Sequence, residues 1–333
     1  MKILFVFTGG TIGSTSSGGC ISVDEGKPYL LIEKYRENFG IDFQYDVIQP
    51  YTELSENNTS ETLKTLICSV RPNLENGYDG IIITHGTDTL QYTASMLSYT
   101  LDTLIPVCLV SSNYPIEDRR ANGLSNLITA VDFIKKVGSA GVWVPYKNEG
   151  EQPVIHRGSR LIGGQAFTDR LYSVQNRYGY VYKRSGAFSR KTGFSEIENE
   201  IQFFDGGKLS SVSNMILKVE SYPGMVYPII PPTAKYVLMS SFHSGTVNTK
   251  SRLAVGFFKE ALSKGVKVFL TGTFAGESYE STKAFDDFGI IPLNDISPIS
   301  AYIKLWLCCD EGIDAEKAMG KALAGDITVG TYS

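Results

Sequence analysis

Two short stretches place hydroxyl groups beside glycines and a carboxylate: Thr8-Gly9-Gly10-Thr11-Ile12-Gly13 and Thr84-His85-Gly86-Thr87-Asp88-Thr89. In the first, paired glycines let the backbone turn tightly and approach a ligand closely, and Thr11 follows at once. The spacing is not the Gly-x-Gly-x-x-Gly of a dinucleotide loop, and no Walker lysine–serine follows, which argues against a nucleotide-binding regulator. In the second stretch Thr87 and Asp88 stand side by side. A helix N-cap uses these residue types. So does a site in which a hydroxyl attacks or hydrogen-bonds a carbonyl while a carboxylate holds a substrate ammonium. His85 lies inside the same tight turn and reads as structural rather than as the base of a triad. Leu54-Ser55-Glu56-Asn57-Asn58 and Ser111-Ser112-Asn113-Tyr114-Pro115 add short polar donors and acceptors, each alone an ordinary loop.

Each of these stretches follows an apolar run. Ile3–Phe7, Phe43–Ile48, Gly80–Thr84, Pro106–Val110 and Val142–Pro145 read as strands, and Leu30–Phe39, Ser60–Leu74, Thr89–Leu101 and Gly123–Lys136 as helices. That alternation predicts a parallel sheet with helices on both faces. Near-continuous apolar strands fit burial on both sides. In such a sheet ligands bind beyond the carboxyl ends of the strands, where all four polar stretches fall. A polar, turn-rich interval at 186–211 breaks the pattern. Strands at Tyr236–Ser240 and Val266–Leu270 then alternate with helices at Leu253–Lys264, Glu280–Phe288, Pro298–Cys309 and Asp314–Ala324. The expected fold class is α/β: a larger N-terminal domain over 1–185, a linker over 186–211, and a smaller C-terminal α/β domain over 212–333. At about 150 residues per domain, 333 residues agree with two.

Composition narrows the function classes. With 42% apolar and 20% charged residues and a net charge of -4, no basic stripe suggests a nucleic-acid partner. No run of about 18 apolar residues suggests a membrane span. The short apolar run after Met1-Lys2 lacks a signal core and cleavage site. Five scattered cysteines fit a reducing cytoplasm better than a disulfide framework. Adjacent Cys308-Cys309 and three distant histidines give no metal spacing, so neither metal nor cofactor is expected.

Taken together, the Thr8–Ile12 and Thr84–Thr89 segments resemble the bacterial L-asparaginase family, nearer its cytoplasmic type I branch. The resemblance continues through Asn122-Gly123-Leu124-Ser125-Asn126-Leu127, Arg157-Gly158-Ser159-Arg160, Ser221-Tyr222-Pro223-Gly224-Met225, Leu270-Thr271-Gly272-Thr273 and Phe288-Gly289-Ile290-Ile291-Pro292. It implies hydrolysis of asparagine, or a related amide, to a carboxylate and ammonia, without metal or cofactor. It also implies a homodimer or homotetramer. By that resemblance Thr11 matches the nucleophile, Thr87 the second active-site threonine and Asp88 its adjacent carboxylate. Ser55 matches the serine that holds the substrate carboxylate, Glu56 falls at a substrate-binding position, and Gly10, Gly86 and Ser111 complete the expected binding set.

Three positions depart from the family pattern. Gly163 stands where a lysine would form the proton-handling triad with Thr87 and Asp88. Cys20 stands where a loop tyrosine assists the nucleophile, with Tyr29 the nearest tyrosine downstream. Glu56 would add a carboxylate where the substrate's own carboxylate is expected. Arg160 is too strongly protonated to serve as a base, whereas His156 and Glu56 have the right chemistry. A second reading is therefore a catalytically weak or inactive relative that binds an amino acid as sensor or partner. A third, the amide-hydrolysing subunit of a tRNA amidotransferase, would need a further domain or partner chain, for which 1–333 is read as leaving no length.

Overall fold

The computed structural model describes residues 1–9, 14–17, 20–23, 28–165, 167–210, 214–276 and 279–330. The first apolar run forms strand β1 (Lys2–Phe7), buried from Ile3 onward. A hairpin of β2 (Ser14–Ser17) and β3 (Cys20–Val23) follows. β1 pairs in parallel with β4 (Gln44–Ile48) on one side and β5 (Gly80–Thr84) on the other. β6 (Pro106–Val110) and β7 (Gly141–Tyr146) extend the parallel sheet. β8 (Val154–Arg157), β9 (Tyr180–Tyr182) and β10 (Phe188–Arg190) close it with antiparallel pairings. The order is β4-β1-β5-β6-β7-β8-β9-β10. The chain moves outward from β1 first to one side and then to the other, so the topological switch point lies beside β1 and β5.

Period-two alternation divides the buried strands between two layers. Ile3, Phe5, Phe7, Ile82 and Cys108 pack with helices α1 (Pro28–Phe39) and, later in the chain, Gly123–Lys136. Leu4, Val6, Ile81, Ile83 and Val107 pack on the opposite face with α2 (Ser60–Val70) and α3 (Leu90–Thr100). Gly123–Lys136 is α4. These helices lie on both faces, as the alternation requires.

The interval expected as a linker carries β10 and β11 (Phe194–Glu196). A second, wholly parallel sheet is built from β12 (Ile216–Val219), β13 (Tyr236–Ser240), β14 (Lys267–Thr273) and β15 (Ile290–Asn294). α5 (Arg252–Ser263) and α6 (Phe285–Phe288) pack on one face of it. α7 (Pro298–Glu311) and α8 (Ala315–Met319) pack on the other, in the same apolar core that holds α2 and α3. α7 starts where Ser297 accepts from the Ile299 and Ser300 amides with Pro298 at the first turn, and stops at Gly312 in the left-handed region. β16 (Thr328–Gly330) returns to pair with β11.

The helix expected over Asp314–Ala324 ends at Met319. Beyond it the backbone winds around one carboxylate. Asp326 Oδ1 accepts from the Leu323 and Ile327 amides, each at 2.8 Å. Its Oδ2 accepts from Lys304 Nζ and from the Tyr99 hydroxyl, both at 2.8 Å. Lys304 also donates to the Lys321 carbonyl, and the Lys304 and Asp326 side chains are both fully buried. Four donors thus satisfy the buried charge, and the Leu323 amide, inside the stretch expected as helix, is one of them. Removing one partner of such a pair leaves an uncompensated buried charge. Lys304→Met is expected to cost about 3–5 kcal/mol in urea unfolding, and Lys304→Met with Asp326→Leu to recover most of it.

Two buried histidines set an acid limit. His156 on β8 bonds Ser173 Oγ at 2.8 Å through Nδ1, and burial pushes its pKa down to about 3. His85 is held down to about 4 by burial, against the opposing pull of the Gly86 carbonyl and Asp88. Both are neutral in the folded protein where the unfolded chain, with pKa about 6.5, takes up protons. Their contribution is intact above pH 6.5 and is lost as pH falls toward 4. At pH 5 each costs about 2 kcal/mol. His156→Gln should lose about that much less stability than wild type between pH 7 and pH 5, read from unfolding midpoints at each pH.

Candidate active site

The carboxyl ends of β4, β1, β5 and β6 are laced together. Thr8 donates through its hydroxyl to the Thr84 carbonyl at 2.5 Å, joining the ends of β1 and β5. The Glu53 amide donates to the Thr8 carbonyl at 3.0 Å, drawing in the loop after β4. This close approach dictates Gly9. Its φ is +97°, and a Cβ there would lie 2.5 Å from the Glu53 carbonyl oxygen. The His85 amide donates to the Val110 carbonyl at 2.9 Å, joining β5 to β6.

Gly10 and Thr11, expected as a binding residue and the nucleophile, fall outside the described residues, as do Ile12 and Gly13. The β5 end is fully described. Thr89 is the N-cap residue of α3, yet it makes no side-chain cap bond. Its hydroxyl donates instead to the Ser55 carbonyl at 2.8 Å. Asn58 Nδ2 lies 3.2 Å from both Thr89 Oγ1 and His85 Nε2. His85 Nε2 also meets Thr93 Oγ1 at 2.9 Å, while Nδ1 meets the Gly86 carbonyl at 2.7 Å. A neutral ring satisfies all of these with Nδ1–H donating and Nε2 accepting. His85 is thus a buried tie between the loops after β4 and β5.

The N-cap reading of Thr87 and Asp88 does not describe them. Among the described residues neither side chain has a hydrogen bond within the protein. Both line a cleft of about 330 Å³, with Gln91, Tyr146, Gln165, Asp169 and Arg170 also in its wall. Thr87 is half-buried and Asp88 exposed. Asp88 precedes the first turn of α3, where the helix dipole favours a negative charge. Ser55 and Ser111 are buried, and their hydroxyls have no partner among the described residues. A buried hydroxyl left unbonded costs about 1–3 kcal/mol. Neither serine lines the cleft itself. Gly86 is buried, whereas Glu56 is exposed and also lies outside the cleft wall.

Position 163 sits at the edge of a tightly held segment. The carbonyls of Ser159 and Leu161 accept from Ser300 Oγ at 2.6 Å and Ser297 Oγ at 2.5 Å, both at the head of α7. Gly163 is exposed, its neighbour Gly164 lines the cleft, and an added Cβ would meet nothing nearer than Ile299 Cδ1 at 3.9 Å. The other candidate bases lie elsewhere. His156 is buried on β8 and absent from the cleft wall. Arg160 is enclosed, donating to the Gly325 carbonyl at 2.6 Å and ion-paired with Glu196 at 2.6 Å. Tyr29 is partly exposed at the head of α1, its ring edge-on to Phe7 at 5.7 Å.

Sequence reasoning missed Gln91, Tyr146 and Arg170. Gln91 was within reach: it lies three residues after Asp88 and donates to its carbonyl at 3.1 Å. Tyr146 and Arg170 had no local signal. They reach the cleft because the Tyr146 hydroxyl donates to the Asp169 carbonyl at 2.6 Å, and Asn148 brackets Leu171, accepting from its amide at 2.9 Å and donating to its carbonyl at 3.2 Å.

Residues 2–172 match the family model for the asparaginase N-terminal domain. The chain is 24% identical to a Glutamyl-tRNA(Gln) amidotransferase subunit of Haloquadratum walsbyi, over 82% of this chain and 63% of that one. It is 33% identical to the corresponding amidotransferase subunit of Methanosphaera stadtmanae, over 76% of this chain and 59% of that one. The chain therefore spans less than two-thirds of the length of either relative. With the L-asparaginase of Thermococcus kodakarensis it is 26% identical over 98% of this chain and 99% of that one. The solved structure of that thermostable L-asparaginase superposes with a TM-score of 0.78 over 99% of this chain and 100% of that one, at 23% identity, a likeness of fold. A family model spanning half of the chain, on a fold with an open cleft beyond the carboxyl end of β5, shows that this chain belongs to the asparaginase family.

Proposed function

We propose that the protein is an asparaginase-type amidohydrolase that releases ammonia from asparagine or a related amide, with Thr11 as nucleophile. The observation that carries this reading is the pair Thr87–Asp88: a hydroxyl and a carboxylate, unbonded within the described protein, in a cleft beyond the carboxyl end of β5. A cleft of about 330 Å³ lies within the range of small-molecule sites. In this reading Asp88 holds the substrate ammonium, and Ser55, whose buried hydroxyl lies outside the cleft wall, is assigned to the substrate carboxylate by the family resemblance alone. Exposed Glu56 leaves that carboxylate unopposed. Attack of Thr11 on the amide carbon creates an oxyanion, which the backbone amides of Gly10 and Gly86 would stabilise. Ser111 completes the proposed substrate-binding set. The nucleophile still needs a base, and Gly163 cannot supply one. The same gap favours a second reading, an amino-acid-binding relative with little turnover. A homodimer or homotetramer in the cytoplasm, organised as 1–185, 186–211 and 212–333, completes the proposal.

Ammonia release from asparagine, glutamine and small amides tests it. Slow turnover is expected in the wild type, together with a loss of substrate binding in Asp88→Asn. Gly163→Lys has open space to occupy and an ordinary backbone, so it should fold normally. It should raise kcat by at least about a hundredfold, the lower end of the 10²–10⁴ that general acid–base catalysis contributes. No ammonia from wild type or Gly163→Lys with any amide would sink the hydrolase reading. A rise in melting temperature with asparagine under those conditions would support the binding reading.

A further inference from the structure

We infer that the amide this site acts on is longer than a free amino acid and carries an anionic far end, seated in a basin beside the cleft; this rests on the amidohydrolase reading. The cleft does not close at its Arg170 end. Thr168, Asp169 and Arg170 form a shared ridge, and beyond it opens a second cavity of about 720 Å³. Its walls carry Arg119, Arg120, Lys147 and Arg170 against two carboxylates, Glu149 and Asp169.

These cations are not equally free. Arg120 is held by Asp118 in a two-pronged pair at 2.7 and 3.1 Å and lies over the Tyr114 ring at 4.1 Å. Arg170 leans loosely on Glu151 at 3.6 Å and on the Tyr172 hydroxyl at 3.3 Å. Arg119 and Lys147 are exposed and have no ion pair among the described residues. The walls that bear them are nonetheless fixed. Asn113 and Asn122 exchange reciprocal bonds at 3.0 Å, each side-chain oxygen accepting from the other's amide. Lys147 is held at both backbone groups, donating to Asn126 Oδ1 at 2.9 Å and accepting from Asn122 Nδ2 at 3.0 Å. Asn148 fixes the far side of the ridge through Leu171. Phe167 stands at the rim, fully exposed, with a φ of 64° that a bulky residue adopts only at a cost. Two free cations on preorganised walls with an exposed ring at the edge suit a carboxylate or phosphate group tethered to the reacting amide.

Four dipeptides with the same amide end, capped like their aspartyl counterparts as C-terminal methylamides so that the tail side chain carries the only far-end charge, test this: asparaginyl-serine, asparaginyl-lysine, asparaginyl-glutamate and asparaginyl-phosphoserine. The anionic pair should exceed asparaginyl-lysine at least about tenfold in kcat/KM for ammonia release. The higher of the two identifies carboxylate or phosphate as the preferred tail. In the Arg119→Gln/Lys147→Gln double variant that ratio should collapse. Melting temperatures with aspartyl-glutamate, aspartyl-phosphoserine and aspartyl-lysine read the basin without turnover. A tail-dependent shift that the double variant loses, with no ammonia from any peptide or from free asparagine, glutamine or small amides, upholds the basin and overturns the hydrolase reading. Equal kcat/KM and equal melting shifts for all tails overturn the inference, even if free asparagine is hydrolysed.

Discussion

Helix α3 lies between the two sheets, and every residue from Leu90 to Thr100 except Tyr92 is buried. A helix enclosed on all sides can carry polar side chains only if each finds a partner inside the protein. Ser98 and Thr100 bond back to the Ala94 and Met96 carbonyls. Gln91 bonds back to the Asp88 carbonyl, and the others reach outward. Thr93 meets His85, Ser95 meets Ser300 of α7 at 2.8 Å, and Tyr99 meets Asp326. Each bond fixes a different part of the chain against one helix. Asp326 in turn holds Lys304 and the loop that replaces the expected end of α8. The helix whose head presents Thr87 and Asp88 is therefore pinned along its length by the chain's own C-terminal third.

That pinning explains why the two sheets share a core rather than meeting across a polar seam. α2 and α3 from the first sheet and α7 and α8 from the second contribute to one apolar cluster. Ser300 links this packing to the cleft, because it bonds both Ser95 and the Ser159 carbonyl just upstream of Gly163. A site placed at such a junction is held by groups far apart in sequence. What it does chemically still depends on the few side chains left open at the sheet edge. At Gly163 the position is held but carries no side chain to move a proton. The nearest cation in the cleft wall is Arg170, which binds anions but does not act as a base.

The parts of the fold that were legible were those with a strong local period. β5, β6, α4 and β13 have the bounds that the apolar runs and helical spacing predict. The antiparallel strands β8, β9 and β10 were not read, because they are short, lie toward one edge, and carry polar residues whose partners come from elsewhere. α8 failed for a different reason. Residues 314–324 have helical composition, but the demand of a buried carboxylate for amide donors outweighs local propensity. In the site, Thr87 and Asp88 were visible because a buried strand, a glycine and two polar residues follow in immediate succession. Arg170 and Tyr146 were not, since a loop anchored by Asn148 delivers them.

The sequence by itself determined the alternation that makes an α/β fold, the strand ends at which chemistry is placed, and the absence of a lysine at 163. All of these are local: each is written in a run of a few residues whose burial or backbone freedom has one economical solution. Only the tertiary structure decided which polar groups are already satisfied and which remain open. His85 and Arg160 have the residue types of catalysis, yet burial and internal bonds commit them to the framework, and His156 is buried away from the cleft with Nδ1 on Ser173. Thr87, Asp88, Ser55 and Ser111 have equally ordinary types, and their side chains are left unbonded within the described protein. Whether a polar side chain is spent or available depends on partners brought together by the fold from distant parts of the chain, and no stretch of sequence carries that information alone.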